Sequence, residues 1–453
     1  MNRPNIIFYF ADQQRADTCG CYGQKLDVTP NLDKLAAQGT VFEHAYTCQP
    51  VCGPARACLQ SGSYATQNGC YRNALALPLD IPTLANCFND AGYETAYIGK
   101  WHLATTKPTY STVDPNEPNY ETTAIPPEYR GGYRDYWMAS DVLEFTSHGY
   151  NGYVFDGNMK KHEFIGYRAD CINNYAIEYL HQKTSDKPFF MFISQIEPHH
   201  QNDRGVFEGP DGSKERFADF EVPGDLLPGQ GDWEKSYPDY LGQCHSLDEN
   251  VGRLVDSLKE KGIWDQTILI YSSDHGSHFC TRNAEYKRSC HDASIRIPMI
   301  AVGGAFNGGG HVKDIVSLID VPATLLDCAG IKAPDTFSGH SFKQVVEGKE
   351  WLQKEAFLQI SESQVGRAIR TERYTYSVRA DADGWWDREA QTYYEEFLYD
   401  NEKDPHQHNN LAEAPEMEGV RTELKERLIQ RMMEIGEEKP TILPWSMRPD
   451  SMK

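Results

Sequence analysis

The sequence predicts an α/β protein in which helices cover a central sheet, followed by a smaller C-terminal α+β subdomain with an antiparallel sheet. Apolar runs alternate with helical patterns over the first two-thirds of the 453 residues, which is typical of a sheet with helices on its faces. After about Gly348 the pattern changes to short strand-like runs and one charged helix. We therefore expect two units, residues 1–350 and 351–453.

The first unit is predicted from strand and helix signals that follow one another along the chain. Residues 5–11 form an apolar run that predicts a buried strand, and Thr29-Pro30 provides an N-cap and a first-turn proline for a helix that ends at Gly39. The same signals predict helices at residues 83–91, 168–182, 240–261 and 320–330, the first three of them followed by strands at 94–98, 188–196 and 267–272.

Two long segments, residues 105–166 and 202–237, show poor periodicity and are rich in Pro, Gly, Tyr and Asp. Loops of that length in a compact domain usually shape a binding site or are mobile. In the second unit, strand-like runs at residues 356–361, 367–378 and 392–399 precede a helix at about 417–437.

Composition excludes some classes of protein. The 44 basic and 66 acidic residues give a net charge of −22, which argues against a nucleic-acid-binding protein but allows a local cationic cluster for an anionic substrate. No run has the length of a membrane span, and the first apolar run is too short for a signal-peptide core. Twelve cysteines without framework spacing are expected to be reduced thiols. We expect a cytoplasmic protein that binds neither nucleic acid nor membrane.

Four predicted strands end in ionisable or metal-competent side chains. Because ligands bind at the carboxyl ends of the strands in an open α/β sheet, these residues are expected to converge on one site. A single Asp after a strand is usually a cap or turn residue, but four such ends in succession indicate a functional edge. The four ends are Asp12-Gln13, Gly99-Lys100-Trp101-His102, Glu197-Pro198-His199-His200 and Asp274-His275-Gly276.

The residue types at this edge suit a metal ion and an anionic substrate. Asp12 and Asp274 provide the carboxylate oxygens that hard divalent cations prefer. Positive charge and proton transfer are available from Lys100, His102, His199 and Lys287. Three further histidines are structural or substrate-contacting by type: His200, His278 and His291.

Cys52 lies where a helix is predicted to begin, because Pro54 suits a first turn. The helix dipole and the nearby Arg56 would both stabilise an anion there. The residues leave three interpretations open: a thiolate nucleophile, a redox cysteine, and a zinc ligand, although no C-x₂-C pair supports zinc. The redox partner would be Cys48 or Cys58, and the zinc site would use Cys280, Cys290 and His291.

The segment Cys52-Gly53-Pro54-Ala55-Arg56 matches the C-x-P-x-R signature of type I sulfatases, and the sequence resembles that family of the alkaline phosphatase superfamily. The resemblance covers nearly the whole chain. It implies an alkaline phosphatase-like fold, a mixed central sheet sandwiched by helices, with residues 1–350 as the catalytic domain. Further blocks similar to the family and in its order are residues 5–17, 29–33, 59–64, 99–102, 273–276, 295–298 and 398–411.

The resemblance implies that a maturation enzyme oxidises Cys52 to Cα-formylglycine, an aldehyde. In that family the hydrated aldehyde is a geminal diol, and one of its oxygens attacks the sulfur of a bound sulfate ester. Deprotonation of the second hydroxyl then expels sulfate and regenerates the aldehyde.

Residue roles follow by the same resemblance. Arg56 would orient the diol, while Lys100 and Lys287 would hold the developing charge of the sulfate. His102 would be the base that triggers sulfate release, and His199 the acid that protonates the leaving alcohol. The implied metal ligands are Asp12, Gln13, residue 52, Asp274 and His275. We also expect substrate contacts from His200, Arg288 and His291.

Two positions depart from the family pattern. Many members have a second acidic residue in place of Gln13 and an Asn in place of His275. The site is then less negative, so calcium is our first expectation while magnesium and manganese also fit. The Asp-Gln pattern also resembles phosphonate and phosphate diester hydrolases on the same scaffold.

The leading hypothesis is therefore a sulfatase that acts on a small sulfated saccharide. An aryl sulfatase, or a hydrolase of phosphonate or phosphate monoesters or diesters, is the alternative within enzymes. A non-catalytic binding protein and a thiol-redox protein are the alternatives from other classes.

Overall fold

The computed structural model describes residues 3–109, 112, 114–308 and 310–452. Within these residues the main sheet has eleven strands. They are β1 (Asn5–Ala11), β2 (Thr40–Tyr46), β3 (Glu94–Lys100), β4 (Tyr136–Ser140), β5 (Ser147–His148), β6 (Asn151–Asp156), β7 (Lys161–Ile165), β8 (Phe189–Ser194), β9 (Thr267–Ser273), β10 (Met299–Val302) and β11 (Gly310–Ser317).

The main sheet is mixed. Its strand order is β11-β2-β10-β9-β1-β8-β3-β4-β6-β5, with β7 paired to β6. The neighbours from β9 to β4 are all parallel, whereas β10 is antiparallel to both of its neighbours and β6 is antiparallel to β4. The predicted α/β class with a mixed central sheet is confirmed.

Helices cover both faces of this sheet. On one face α1, α5 and α7 pack over Ile7 and Tyr9, and on the other α2, α4 and α9 pack over Phe8 and Phe10. Burial on both faces explains why β1 is an unbroken apolar run. The described helices are α1 (Pro30–Gln38), α2 (Cys52–Ser61), α3 (Ala65–Asn68), α4 (Leu84–Asp90), α5 (Arg168–Gln182), α6 (Ser213–Arg216), α7 (Trp233–Glu260), α8 (Asp292–Ile295), α9 (Val321–Cys328), α10 (Lys343–Val346) and α11 (Glu418–Glu434).

A second, five-stranded sheet follows in the C-terminal part. Its first four strands are antiparallel, as predicted, and the short fifth strand pairs in parallel with the fourth. Phe357, Ile369 and Leu428 of this part belong to the same apolar cluster as Phe8. The boundary at residues 350 and 351 stays a prediction. The strands are β12 (Glu355–Ile360), β13 (Gly366–Thr371), β14 (Tyr374–Arg379), β15 (Thr392–Asp400) and β16 (Thr441–Leu443).

Three sequence-based expectations differ from the structure. The segment 105–166 contains β4 to β7, which were not predicted; β6 and β7 are largely half-buried or exposed and so lack a clear apolar pattern. Residues 367–378 form two strands with a turn between them. Helix α7 begins at Trp233 and not near 240, because Trp233 and Tyr237 are buried and their packing outweighs the interruption at Pro238.

Two further findings concern cysteines and membranes. All twelve cysteines have free thiols. None of the helices in the described part of the chain combines the length and the apolar character needed to cross a membrane.

Candidate active site

The sheet order brings the four predicted strand ends to one edge. Strands β9, β1, β8 and β3 are neighbours in the sheet and run parallel. Their carboxyl ends therefore lie side by side, although they come from positions 12 to 275 of the chain. Four of the side chains at these ends are almost completely buried, with exposed fractions of 0% for Asp12, Asp274 and His275 and 1% for Lys100, whereas His102 is partly exposed.

Gly99 allows β3 to approach β8 just before Lys100. Its φ is +103°, and a Cβ at this position would lie 1.9 Å from the carbonyl oxygen of Ser194. A larger residue would push the two strands apart. Gly99 therefore contributes to the placement of Lys100.

Cys52 occupies the first turn of α2, as the sequence indicated. Val51 is extended before the helix, and Gly62 ends it in the left-handed region with a φ of +64°. Pro54 fits within the first turn because its missing N–H would have no partner there. The Gly53 N–H donates to Asn73 Oδ1 at 2.8 Å, so α2 is held at its N-terminus by a neighbouring loop.

The Cys52 thiol is surrounded by ionisable groups. Its Sγ lies 2.7 Å from Lys287 Nζ, 3.3 Å from His275 Nε2 and 3.5 Å from Asp12 Oδ1. Burial opposes ionisation of the thiol, but Lys287, Lys100 and His275 outweigh it and hold the pKa of Cys52 well below its ordinary value. This position stabilises a negatively charged nucleophile.

Asp12 connects the cations of the site. Its Oδ2 accepts hydrogen bonds from Lys100 Nζ at 2.6 Å and from Arg56 Nη2 at 2.9 Å. Burial raises the pKa of Asp12, as does Cys52, yet Lys100, His199 and Arg56 together lower it far below the ordinary range. In contrast, burial and the proximity of Asp12 raise the pKa of Asp274 to about 6.

The same residues fit a divalent cation. One ligand atom each from Asp12, Cys52, Asp274 and His275 lies within 4.8 Å of the others. Asp274 Oδ1 accepts the Gln13 and His275 N–H groups at 2.9 Å, while the buried Oδ2 makes no hydrogen bond to any described residue and lies 3.6 Å from Arg56 Nη2. His275 Nδ1 faces the Gly276 carbonyl at 2.9 Å, which leaves Nε2 for a metal.

Gln13 completes this donor set. It lines the cavity, and its side-chain amide nitrogen lies 3.4 Å from Ser277 Oγ, which leaves the carbonyl oxygen available as a ligand. Two carboxylates, one amide oxygen and one imidazole suit an oxygen-preferring cation. The residues present therefore fit the implied metal.

Two histidines flank the nucleophile position. His102 lines the same cavity as Cys52. His199 Nδ1 lies 2.6 Å from the His200 carbonyl oxygen, and its Nε2 lies 3.2 Å from Lys287 Nζ. Burial and Lys287 lower the pKa of His199.

The three residues expected to contact substrate are placed differently. Arg288 lines the cavity. His200 lies behind its wall, stacked at 4.4 Å on Tyr286, so it supports a lining residue. His291 lines a second cavity beside Arg282, because its ring packs against Phe397 and Tyr399, with its Nε2 3.0 Å from the Tyr399 hydroxyl.

The structure adds cavity residues that were not predicted from the sequence. Asp141 directly follows β4, the next strand after β3 in the sheet. Asp141 therefore also lies at the carboxyl end of a strand, where ligands are expected to bind. It was missed because β4 itself was not predicted. The open cavity of about 740 Å³ is also lined by Asn73, Glu144, Phe145, Asn202 and Tyr286.

The redox and zinc interpretations of Cys52 are not supported. Cys52, Cys48 and Cys58 are all free thiols, so the disulfide that the redox interpretation predicts is not formed. Over the described ranges, the residues close enough together to hold one metal ion are Asp12, Cys52, Asp274 and His275. The zinc grouping of Cys280, Cys290 and His291 is not formed.

Comparisons with known proteins agree with this geometry. Residues 4–331 match the family model "Sulfatase", and residues 286–434 match "N-sulphoglucosamine sulphohydrolase, C-terminal". A curated relative, the uncharacterized sulfatase YidJ of Escherichia coli K12, is 30% identical over a match covering 99% of this chain and 91% of its own length.

Solved structures show the same likeness. A structure in complex with its substrate D-glucosamine-2-N,6-O-disulfate has a TM-score of 0.75 and 25% identity and covers 97% of this chain and 99% of its own. The phosphonate monoester hydrolase of Agrobacterium radiobacter, at 22% identity and a TM-score of 0.71 over 96% of each chain, shares the fold. The chain belongs to the sulfatase family of the alkaline phosphatase superfamily and is a sulfuric ester hydrolase.

Proposed function

We propose that this sulfatase hydrolyses a sulfate ester on a small sulfated saccharide, with formylglycine made from Cys52 as nucleophile and Ca²⁺ held by Asp12, Gln13, Asp274 and His275. The observation that carries the proposal is the position of Cys52 Sγ, 2.7 Å from Lys287 Nζ and 3.5 Å from Asp12 Oδ1. In this structure the sulfur stands for the nucleophilic oxygen of the matured residue.

The modified residue 52 and the bound cation each supply specific chemistry. A hydrated formylglycine supplies a hydroxyl nucleophile with a second hydroxyl beside it. The cation, when bound, lowers the pKa of that nucleophile and neutralises sulfate oxygens. Magnesium and manganese remain alternatives to calcium for this donor set.

The chain's own residues hold charge and move protons. Lys100 and Lys287 provide ammonium groups next to the position of the sulfate, where negative charge develops in the transition state. Arg56 Nη1 donates to Ser194 Oγ at 2.5 Å and to the Lys100 carbonyl at 3.1 Å, which fixes the guanidinium beside Asp12. We assign Arg56 to orient the nucleophile.

His199 and His102 divide the proton transfers. Because His199 Nδ1 lies against the His200 carbonyl, Nε2 is the atom that can protonate the leaving alcohol. His102, which lines the cavity with residue 52, is assigned as the base for the second hydroxyl. His199 therefore acts when the alcohol leaves, and His102 acts when sulfate is released.

The saccharide assignment rests on the outer cavity and on the relatives. Phe145 and Tyr286 give apolar faces to a sugar ring. One structural neighbour has a sulfated amino sugar as its substrate. The aryl sulfatase and the phosphonate or phosphate ester hydrolase are the alternatives to be tested.

The test is sulfate release, measured by ion chromatography, from a panel of monosulfated sugars, with aryl sulfate and phenyl phosphonate esters alongside. The protein is co-expressed with a formylglycine-generating enzyme, its proposed maturation partner, and mass spectrometry of the peptide containing residue 52 verifies the aldehyde. We expect turnover of one sugar isomer in particular. Turnover confined to aryl or phosphonate esters would contradict the saccharide assignment.

We extend the proposal to location. Twelve free thiols are typical of a reducing compartment, which supports a cytoplasmic enzyme that acts on imported saccharides. Fractionation of the native host tests this, and recovery of the protein from the periplasm or medium would contradict it.

A further inference from the structure

The charged side chains that line the active-site cavity are positive at its floor and mostly negative along its wall. Lys100 and Lys287 lie at the floor, next to Cys52. The outer wall is acidic, because four carboxylates line it against one guanidinium. These wall residues are Glu121, Asp141, Glu144, Glu285 and Arg288.

The cations near the wall are already matched by carboxylates. Glu121 forms an ion pair with Lys107. Arg288 binds Glu285 at 2.8 Å and also pairs with Glu362. Because these two carboxylates neutralise the charge of Arg288, it attracts a second anion on the substrate only weakly.

Asp141 carries a free acceptor at this wall. The side chain is 1% exposed, and Oδ1 accepts the Ala104 N–H at 3.0 Å. Oδ2 is buried and has no hydrogen-bond partner among the described residues. A buried carboxylate oxygen without a partner is costly, so a donor from the substrate would satisfy it.

Glu144 adds a second carboxylate close to the proposed acid. Its oxygens accept the Asn202 N–H at 2.8 Å and the Asn202 side-chain amide at 3.1 Å. One of them lies 4.0 Å from His199 Nδ1. Asn202 holds the carboxylate in place but is neutral, so the negative charge remains beside the leaving group.

We propose that this acidic wall makes the enzyme selective for sulfate esters whose leaving group carries no second anion, that is, neutral or amino sugars, against uronates and multiply sulfated sugars. The inference rests on the proposed function. A second anion would lie against Asp141 and Glu144 with water largely excluded, where like charges repel strongly. A hydroxyl or ammonium group would instead donate to Asp141 Oδ2.

The first test compares matched esters. The sugar series is glucosamine 6-sulfate with its nitrogen free, acetylated or sulfated, and the aryl series is 4-nitrophenyl sulfate with and without a ring carboxylate. In each series that the enzyme hydrolyses, we expect kcat/KM for the anionic member to be lower than that for the neutral member by about tenfold or more. Equal turnover, or faster turnover of the anionic member, would overturn the inference.

The second test uses Asp141→Asn and Glu144→Gln, which keep size and hydrogen bonding but remove one charge each. We expect each to raise the anionic-to-neutral ratio of kcat/KM several-fold. The matched control is Asp256→Asn on α7, where the side chain is 74% exposed, and it should leave the ratio unchanged. Ratios in both cavity variants equal to that control would contradict the inference.

The two proposals fail in different ways. No sulfate release from any ester, by protein with verified formylglycine, would refute the proposed function. Release without charge discrimination would refute only the selectivity.

Discussion

At the scale of single residues, the cations of the site are held by Asp12 and Cys52. Asp12 binds Lys100 and Arg56 through one oxygen and faces the metal position and Cys52 with the other. Lys287 approaches from a loop and reaches Cys52 and His199. The cost of burying these charges is offset only by their mutual contacts, so removal of one member should disturb the whole set.

Lys287→Met should reduce kcat/KM for the preferred ester by about 10²-fold or more, because it removes a preorganised cation from the developing charge of the sulfate. Steady-state kinetics on protein with verified formylglycine measure this. Lys25→Met, at a surface lysine that is 74% exposed, is the control. A loss of less than about threefold would argue against the role of Lys287.

Removal of the metal should abolish turnover and lower the thermal midpoint of unfolding, because the repulsion between the buried Asp12 and Asp274 carboxylates would lose the cation that offsets it. Dialysis against a chelator, followed by addition of Ca²⁺, Mg²⁺ or Mn²⁺, tests this with elemental analysis of the bound ion. We expect Ca²⁺ to restore both quantities most fully. Full activity after verified metal removal would contradict the assignment of these ligands.

Glu362 is a residue through which the second sheet supports the active site. It follows β12, accepts the Asn73 N–H at 2.6 Å and pairs with Arg288. Glu362→Gln keeps an acceptor for Asn73 but loses one of the two charges that hold Arg288, whereas Glu362→Ala loses both the acceptor and that charge. We expect KM to rise about tenfold or more in Glu362→Ala and less in Glu362→Gln, with kcat nearly unchanged. A fall in kcat at constant KM would contradict a positioning role.

At the scale of elements, α1 is capped by a residue that is distant in the sequence. Asp248 of α7 accepts the Asn31 and Leu32 N–H groups at 3.0 and 2.7 Å, while Thr29 at the N-cap makes no capping hydrogen bond. The sequence correctly predicted where the helix begins, but the cap comes from the helix packed beside it.

Asp248 should make stability depend on pH. Burial raises its pKa to about 6, above an unfolded value of about 3.9, so the folded state binds the proton more tightly. Its contribution to the free energy of unfolding is about 2–3 kcal/mol. This contribution is fully present below about pH 4 and is lost as pH rises through about 6. Asp248→Asn should reduce the pH dependence of the unfolding midpoint between pH 4 and 7 by the part that Asp248 contributes, whereas Asp256→Asn should retain the full dependence. An unchanged slope in Asp248→Asn would contradict the assignment.

At the scale of the whole molecule, a buried polar network joins distant parts of the chain. Arg367 of β13 donates to Glu437, which follows α11, at 2.9 and 3.0 Å, and Gln359 of β12 joins Glu437 to Thr66 of α3. The network lies beside the apolar cluster shared by the main sheet and the second sheet. We therefore expect the two sheets to unfold together.

Arg367→Met should lower the free energy of unfolding by about 3–5 kcal/mol, because it leaves Glu437 buried without its cation. Thermal unfolding followed by near-UV circular dichroism measures the shift. The double variant Arg367→Met/Glu437→Leu removes both charges and should recover much of the loss. A single variant as stable as the wild type would show that the network contributes little.

The sequence by itself determined the class of fold, the family and most of the residues around Cys52. This was possible because apolar periodicity records burial, because parallel strands end at one edge, and because the chemistry of Cys52-Gly53-Pro54-Ala55-Arg56 depends on residues that are adjacent in the chain.

The tertiary structure alone decided the remainder. His291 was expected in the site and lies in another cavity, because its ring packs against Phe397 and Tyr399 of β15. Asp141 and Glu144 were not predicted, since β4 has a weak pattern of its own and becomes a strand by pairing with β3. Glu362 approaches Arg288 only because the second sheet packs against the first. Contacts between residues that are distant in the sequence depend on tertiary packing, which local sequence patterns do not specify.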